Sequence, residues 1–327
     1  MSPRIAVVIA TKNRYEDIQR HAFASLERSA FRDFVCVVWD ASDDDRTREC
    51  VQRKSLNFQC MYFKAPRRGS SSQRNDAVEY VLQTYTSVQY ILFMDDDCEI
   101  SPDTLDGILE TFKMSDVSLV VLPIYPSSGE REAVWVSWVK RRLGWNHYGA
   151  TDFLYNYKSS EGKPGGMAEW AGGSCIAADV NIFAKEGHFF PEEFQHFGGY
   201  ALGEDFAFSF FLHKKKGKRI VNSLRGHFLH FPAKGARLNV AGMVASKWYN
   251  FHLLFDALYS NRHGRSLLWL KLKFKLFMVL AAFKCLIRTR SLNPLPALRG
   301  IKEARMALKE YHGTQDIKKL FCKRKRA

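Results

Sequence analysis

Three acids stand together in Ile91-Leu-Phe-Met-Asp95-Asp96-Asp97-Cys-Glu99, directly behind an apolar run with the character of a buried strand. Neighbouring carboxylates repel, so such a triplet calls for a cation. Mg²⁺ or Mn²⁺ suits it, because these ions take one or two carboxylates plus phosphate oxygens. The plainer use of acids here is to cap the next helix, and Glu99 and Asp103 read that way. For Asp95, Asp96 and Asp97 the strand-end position favours a ligand site.

Four further groups could carry chemistry. Asp40 also ends an apolar run, where a carboxylate can accept a hydrogen bond from a nucleobase N–H; Asp43, Asp44 and Asp45 after it read as a turn. Arg67-Arg-Gly-Ser-Ser-Ser-Gln-Arg74-Asn75 is basic, rich in Gly and Ser, and leads into a helical pattern. Backbone N–H groups and arginine both suit phosphate, although a solvated loop is the commoner meaning of this composition. Glu204 and Asp205 fall in the first turn of a helix, where the dipole favours acids and keeps a carboxylate ionised, as a general base must be. His227 and His230 follow a strand-like segment, and either packing or one metal or phosphate contact accounts for them.

Apolar runs at 5–10, 34–39, 60–63, 90–94 and 118–122 alternate with helical patterns at 16–26, 72–85 and from Ser101-Pro102-Asp103, with Ser101 as N-cap. Helices are also expected over 178–185 and from Gly203 to Gly217, with a strand at 219–221. This alternation predicts an α/β fold, a mostly parallel sheet flanked by helices, whose ligands gather at the carboxyl edge. Residues 125–166, with a basic cluster at 140–142 and a loop at 158–166, have no clear periodicity. After Pro232 the pattern turns to long helices.

Apolar residues make up 46% and charged residues 25% of the 327, which excludes disordered and collagen-like chains. Seven scattered cysteines without a CxxC pair exclude a disulfide scaffold and a thiolate zinc site, and predict free thiols in a reducing cytosol. The first apolar run is too short for a signal segment, and no stretch reaches the length of a spanning helix. The net charge of +15 is localised: 262–327 hold 18 Lys+Arg against 3 Asp+Glu, leaving 31 of each sign before them.

Taken in order, six segments resemble the inverting family 2 glycosyltransferases of the GT-A fold over about 3–230. They are Val-Ile-Ala-Thr11-Lys-Asn13-Arg14, Trp39-Asp40-Ala-Ser, Gly69 with Gln73-Arg74-Asn75, Phe-Met-Asp95-Asp-Asp97, Gly172-Gly-Ser-Cys-Ile, and Gly198-Gly-Tyr-Ala-Leu-Gly-Glu204-Asp205. The resemblance implies a nucleotide-binding half at about 1–123 and an acceptor half at about 124–232; 233–327 lies outside it and its composition predicts a helical basic extension. The resemblance also implies that Thr11, Asn13 and Arg14 border the nucleotide and that Asp40 reads a uracil or thymine ring. Arg74 would lie near the diphosphate and Asp95 would face the ribose, with Asn75 and Asp96 also among the residues that bind the nucleotide-sugar. Asp97 would hold Mn²⁺ or Mg²⁺, with His227 or His230 completing the metal site. Asp205 would be the base and Glu204 would orient the acceptor or the loop. The chain departs from the pattern at Asp76, where Gly or Ala is usual, and at Ala41-Ser42.

The implied partners are a nucleoside-diphosphate sugar and a glycan or lipid-linked acceptor, as in cell-surface polysaccharide assembly. In 262–327, Leu, Phe and Trp mix with lysines, as in segments lying at a membrane interface. That predicts a peripheral protein on an anionic cytoplasmic membrane face; the alternative is a solvated appendage packed on the body. As a helix, 267–287 does not segregate its lysines cleanly, and Leu270 to Leu276 would also suit a strand. A nucleic-acid binder using the basic tail leaves both acid clusters unexplained, and no nucleic acid is expected. A non-catalytic glycan or nucleotide-sugar binder and a nucleotidyltransferase share most of these residues.

Overall fold

The computed structural model of the chain describes residues 2–53, 56–126, 163–198, 201–231, 239–261, 263–288, 293–314 and 316–322. The basic clusters at 140–142 and 323–326 and most of the 125–166 segment lie outside them. β1 (Ile5–Thr11) leads into an irregular helix α1, with α turns at Tyr15–Asp17 and Ala24–Glu27 around a π turn at Ile18–Phe23. There follow β2 (Phe34–Asp40), α2 (Arg46–Arg53), β3 (Gln59–Lys64), α3 (Ser70–Thr84), β4 (Tyr90–Met94), β5 (Cys98–Ile100), α4 (Thr104–Phe112), β6 (Val117–Val121) and β7 (Ile124–Pro126). The second half contributes β8 (Met167–Ala168), β9 (Cys175–Asp179), α5 (Asn181–Ala184), α6 (Glu204–Lys216), β10 (Arg219–Asn222) and β11 (Phe228–His230). Last come α7 (Val240–Tyr259), α8 (Arg265–Arg288) and α9 (Leu295–Thr314).

Eight strands form the main sheet in the order β3-β2-β1-β4-β9-β6-β10-β8. β3, β2, β1 and β4 run parallel, as do β6 and β10; β9 runs antiparallel between β4 and β6. Both faces are buried. Ile5, Val7 and Ile9 enter one core while Ala6 and Val8 enter the other, and Cys36/Val38 against Val35/Val37 repeat the split. Two covered faces explain why these strands read as unbroken apolar runs. A second, three-stranded sheet, β5-β11-β7, folds over the carboxyl edge.

Two local expectations change. Ala177 and Ala178 belong to β9, and the helix is reduced to Asn181–Ala184, because tertiary pairing with β4 and β6 overrides alanine's helical preference. Helix α4 starts at Thr104 behind Asp103. The Ser101 hydroxyl makes no cap; it accepts from His227 N (3.1 Å) and pairs with Thr104 Oγ1 (2.9 Å), tying β11 to this corner.

The C-terminal helices pack on the body. Trp248, Leu253 and Phe255 of α7, Leu270, Phe274 and Met278 of α8, and Ala304 and Leu308 of α9 share one core with Phe206 and Phe210 of α6. A Cβ on Gly300 would lie 2.3 Å from the Ala241 carbonyl, so α7 and α9 approach closely only because that position has no side chain. The segment 316–322 returns to the main sheet's side of the molecule, where Phe189 N donates to Phe321 O at 2.8 Å.

At that seam His188 stacks on Phe208, Phe211 and Phe321, and its Nε2 meets the Phe208 carbonyl at 2.9 Å. Burial pushes its pKa down to about 3, outweighing that hydrogen bond. The imidazole therefore stays neutral in the fold, while the unfolded chain protonates it near pH 6.5. Stability from this group is complete above pH 6.5 and falls as the pH drops towards 3, by up to about 1.4 kcal/mol per pH unit. His188→Phe should flatten that part of the profile in urea unfolding between pH 7 and 4; curves that stay parallel would dismiss the assignment.

Candidate functional site

The parallel strands deliver their polar residues to one edge. Register sets Thr11 beside Asp40, and Asp95 follows the last residue of β4. The Gln73 amide fastens this edge, donating to the carbonyls of Thr11 (3.0 Å) and Trp39 (2.8 Å). Asn13 adopts a positive φ of 57°. Its N–H donates to Ser42 Oγ (2.7 Å), and its side chain exchanges two 2.8 Å bonds with Asp43.

Asp40 turns inward and is fully buried. One oxygen accepts from the Ser42 N–H (2.8 Å) and hydroxyl, the other from Tyr62 OH (3.0 Å). Burial first, then Asp40, raises the Tyr62 phenol, keeping it a donor. A ring N–H would reach Asp40 only by replacing one of these donors. Ala41-Ser42 is thus the turn that holds Asp40, and Ser42 serves Asp40 and Asn13 together.

The acid triplet is shared among several partners. Asp96 accepts from Thr11 Oγ1 (2.6 Å) and pairs with Arg14 (3.0 Å); Arg14 Nη1 also reaches Asp97 at 3.2 Å. Burial pushes Asp96 up to about 7 against the pull of Arg14 and Thr11. The β5–β11 pairing sets His230 opposite Cys98, and His230 Nε2 lies 3.3 Å from Asp97 Oδ1. That bond raises the imidazole's pKa in spite of burial. Asp97, Cys98 and His230 offer ligand atoms within 4.8 Å of one another, and His227 is not in that group. Burial first, then nearby acids, raises the Cys98 thiol, leaving it protonated and a poor ligand for a hard cation. The carboxylate and the imidazole fit Mn²⁺ or Mg²⁺.

Arg74 joins this edge to helix α6. Its guanidinium donates to Asp95 Oδ1 and Glu204 Oε1, each at 2.9 Å, and to the Gly173 carbonyl at 3.3 Å. Burial works against the charge, but Asp95, Glu204 and Asp205 outweigh it and raise the pKa. The Asp205 carboxylate accepts from Gly173 N (2.5 Å) and from Phe206 N (2.7 Å). A Cβ on Gly173 would lie 2.8 Å from Asp205 Cβ, which accounts for glycine there. Burial raises both Glu204 and Asp205 above the ordinary carboxylate range; for Glu204 the neighbouring Asp205 adds to it.

The start of α3 is a built interior rather than a solvated loop. Ser71 through Asp76 are all buried. Asn75 brackets Phe190 through its backbone, donating to the carbonyl (2.9 Å) and accepting from the N–H (3.0 Å). Asp76 pairs with Arg67 at 2.7 Å, and Arg67 reaches Glu192 at 2.5 Å, which explains an acid where a small residue is usual. Gln195 Oε1 accepts from Ser72 N (3.2 Å), so the helix N-terminus already has an acceptor. Sequence reasoning brought out the acids and Arg74. It gave no role to Gln73 and Ser42, which stand inside two of the motifs. It passed over Tyr62, whose only signal was alternation on β3, and Gln195, which had no local signal.

Residues 6–168 match the Glycosyl transferase family 2 model. Among solved structures the chain is similar to the mannosyltransferase PcManGT from Pyrobaculum calidifontis, crystallised with GDP-Man and Mn²⁺. The TM-score is 0.52 at 15% identity, covering 97% of this chain and 77% of that one. It is also similar to S. aureus TarS, with a TM-score of 0.50 at 16% identity, covering 80% of this chain. The chain spans 40% of the length of TarS. At these identities the likeness establishes the fold. No curated protein matches the chain.

The Arg74 contacts generate a stability test. Arg74→Met leaves Glu204, 13% exposed, and the half-buried Asp95 without their cation and should cost about 3 kcal/mol at neutral pH. Adding Glu204→Gln should recover part of that loss. Urea unfolding of the single and double variants measures both, and a Met variant as stable as the parent would remove Arg74 from its place.

Proposed function

We propose that this chain, which residues 6–168 place in glycosyl transferase family 2, moves a sugar from a UDP- or dTDP-type donor to a hydroxyl of a glycan or lipid-linked acceptor. The anomeric carbon inverts, and the pathway is assembly of cell-surface polysaccharide or oligosaccharide. One observation carries the reading: acids from two distant segments, Asp95 after β4 and Glu204 and Asp205 at the head of α6, converge on a single buried guanidinium. A site that gathers carboxylates with so few cations suits the capture of a positively charged group and the removal of a proton.

Asp205 is the base. Its raised pKa brings it towards that of a proton acceptor working near neutrality, and its two backbone donors fix its direction. It takes the proton of the acceptor hydroxyl as that oxygen bonds to the anomeric carbon. The bond from that carbon to the diphosphate breaks on the opposite face, and the electron pair leaves with the nucleoside diphosphate. Glu204 positions Arg74, and Arg74 in turn orients Asp95 towards the donor's ribose. Thr11, Asn13 and Arg14 border the nucleotide, Asp96 holds Thr11 and Arg14 in place, and Asp40 reads the base once a ring N–H displaces Ser42 or Tyr62 from it. Asn75 acts from behind, seating α3 against the Phe190 segment.

Asp97 and His230 would hold a divalent cation, which when bound neutralises charge on the diphosphate. The donor set supports that assignment. Among the described residues, Asp95, Asp96, Asp97, Glu204 and Asp205 face two guanidiniums and one imidazole, and Asp96 and Glu204 carry raised carboxyl groups. The PcManGT crystal, with its GDP-Man and Mn²⁺, supports a nucleoside-diphosphate donor and a divalent ion on this fold. Among the described residues no helix is long and apolar enough to cross a membrane. We place the enzyme peripherally, at the cytoplasmic face of a membrane that carries its acceptor.

Asp205→Asn should lower turnover by about 10²–10⁴-fold with the fold intact, read as nucleoside diphosphate released and by circular dichroism. An active Asn variant would refute the base. The rate should fall as the pH drops below neutrality, because a raised pKa protonates Asp205 earlier than an ordinary aspartate. In a thermal-shift panel, UDP or dTDP should stabilise the protein more with Mn²⁺ than with EDTA; equal shifts would exclude the cation from Asp97 and His230.

A further inference from the structure

Helix α8 is apolar on two opposite sides. Leu267, Leu270, Phe274 and Met278 face inward to the core shared with α7, where Phe274 stacks on Phe255 with ring centres 4.5 Å apart. Leu268, Trp269, Leu272, Leu276 and Val279 remain between 54% and 70% exposed. At 100° per residue these five fall within one arc of about 100°, centred almost opposite the buried stripe. The exposed Lys271 and Lys275 lie along one border of the arc. Lys273 lies along the other, its Nζ 5.4 Å from the centre of the Trp269 ring. The lysines that fail to segregate on a two-sided helical wheel therefore separate two apolar faces, one buried and one outward.

We infer that the outward face of α8 is a membrane-docking surface that lies flat in the headgroup region of an anionic phospholipid bilayer. The inference rests on the peripheral-membrane reading above and names the surface that performs it. The stripe runs about 17 Å along the axis, far short of a bilayer's core but suited to lying in its interface. Lysines on both borders can keep their ammonium groups in the headgroup layer while Leu, Trp and Val enter the acyl boundary. The occupant follows from charge: the whole excess of +15 falls in 262–327, the segment of the sequence that contains this helix. A patch of this kind on a second copy of the chain would set lysine borders against lysine borders, whereas an anionic lipid surface matches both the apolar strip and its rim.

The test is co-sedimentation of the full chain with vesicles of phosphatidylcholine alone or with 30% phosphatidylglycerol. The parent should bind the anionic vesicles and lose binding in high salt. Leu272→Glu with Leu276→Glu, both exposed, should weaken binding at least tenfold while the melting temperature holds. Lys271→Gln and Lys275→Gln should each weaken it about fivefold. If the parent binds and the double Glu variant binds equally well, the α8 face is wrong while the peripheral reading stands. If the parent binds neither vesicle, both fail. If the double Glu variant leaves vesicle binding unchanged but converts a dimer into a monomer in sedimentation velocity, the occupant is a second copy and the inference is overturned.

Discussion

The Arg74 guanidinium is the contact on which the site depends. It lies with only 7% of its side chain exposed between an acid that follows β4 and an acid at the head of α6, segments more than one hundred residues apart. A buried arginine holds its charge only where carboxylates surround it, and buried carboxylates stay ionised only where a cation faces them. Each side is therefore the condition for the other. The loop at Gly173 joins the arrangement through its carbonyl on Arg74 and its N–H on Asp205, so a single residue, through the two peptide groups that flank it, reads the position of both.

This mutual condition explains the character of α3. A helix with six consecutive polar, buried side chains, Ser71 to Asp76, is expensive unless nearly every group has a partner. Here Gln73 reaches the ends of β1 and β2, Asn75 and Asp76 reach the 190–192 segment directly or through Arg67, and Gln195 covers the N-terminus. The helix is a peg driven between the sheet edge and the second half of the chain. Its composition resembles that of a solvated loop because composition does not say where partners come from.

Legibility follows the range of the interaction that decides each feature. β1, β2 and β4 are plain in the sequence because burial on both faces leaves an unbroken apolar run, and the acids behind them follow directly. β9 is not, since Cys-Ile-Ala-Ala-Asp acquires strand geometry only from β4 and β6 on either side. The choice between His227 and His230 was also out of reach. It is made by the antiparallel register of two three-residue strands, which brings His230 opposite Cys98 and beside Asp97. The second apolar face of α8 was hidden for another reason: a helix wheel shows two stripes, but only packing tells which one the protein covers.

The C-terminal helices belong to the same mechanical unit as the chemistry. Asn250 of α7 donates to the carbonyls of Phe194 (3.0 Å) and Leu202 (2.8 Å), bracketing the approach to Glu204 and Asp205. Phe251, one residue on, packs near Gly203 and stacks on Phe206, the residue after Asp205. The inner faces of α8 and α9 cover α7 from the other side. Removing the chain from residue 262 onward would uncover that core, so the loss of any property in such a truncation says little about lipid. Charge or polarity changes confined to the outward stripe leave the buttress in place. They separate the support that the inner face of α8 gives to the acidic head of α6 from the membrane docking we propose for its outer face.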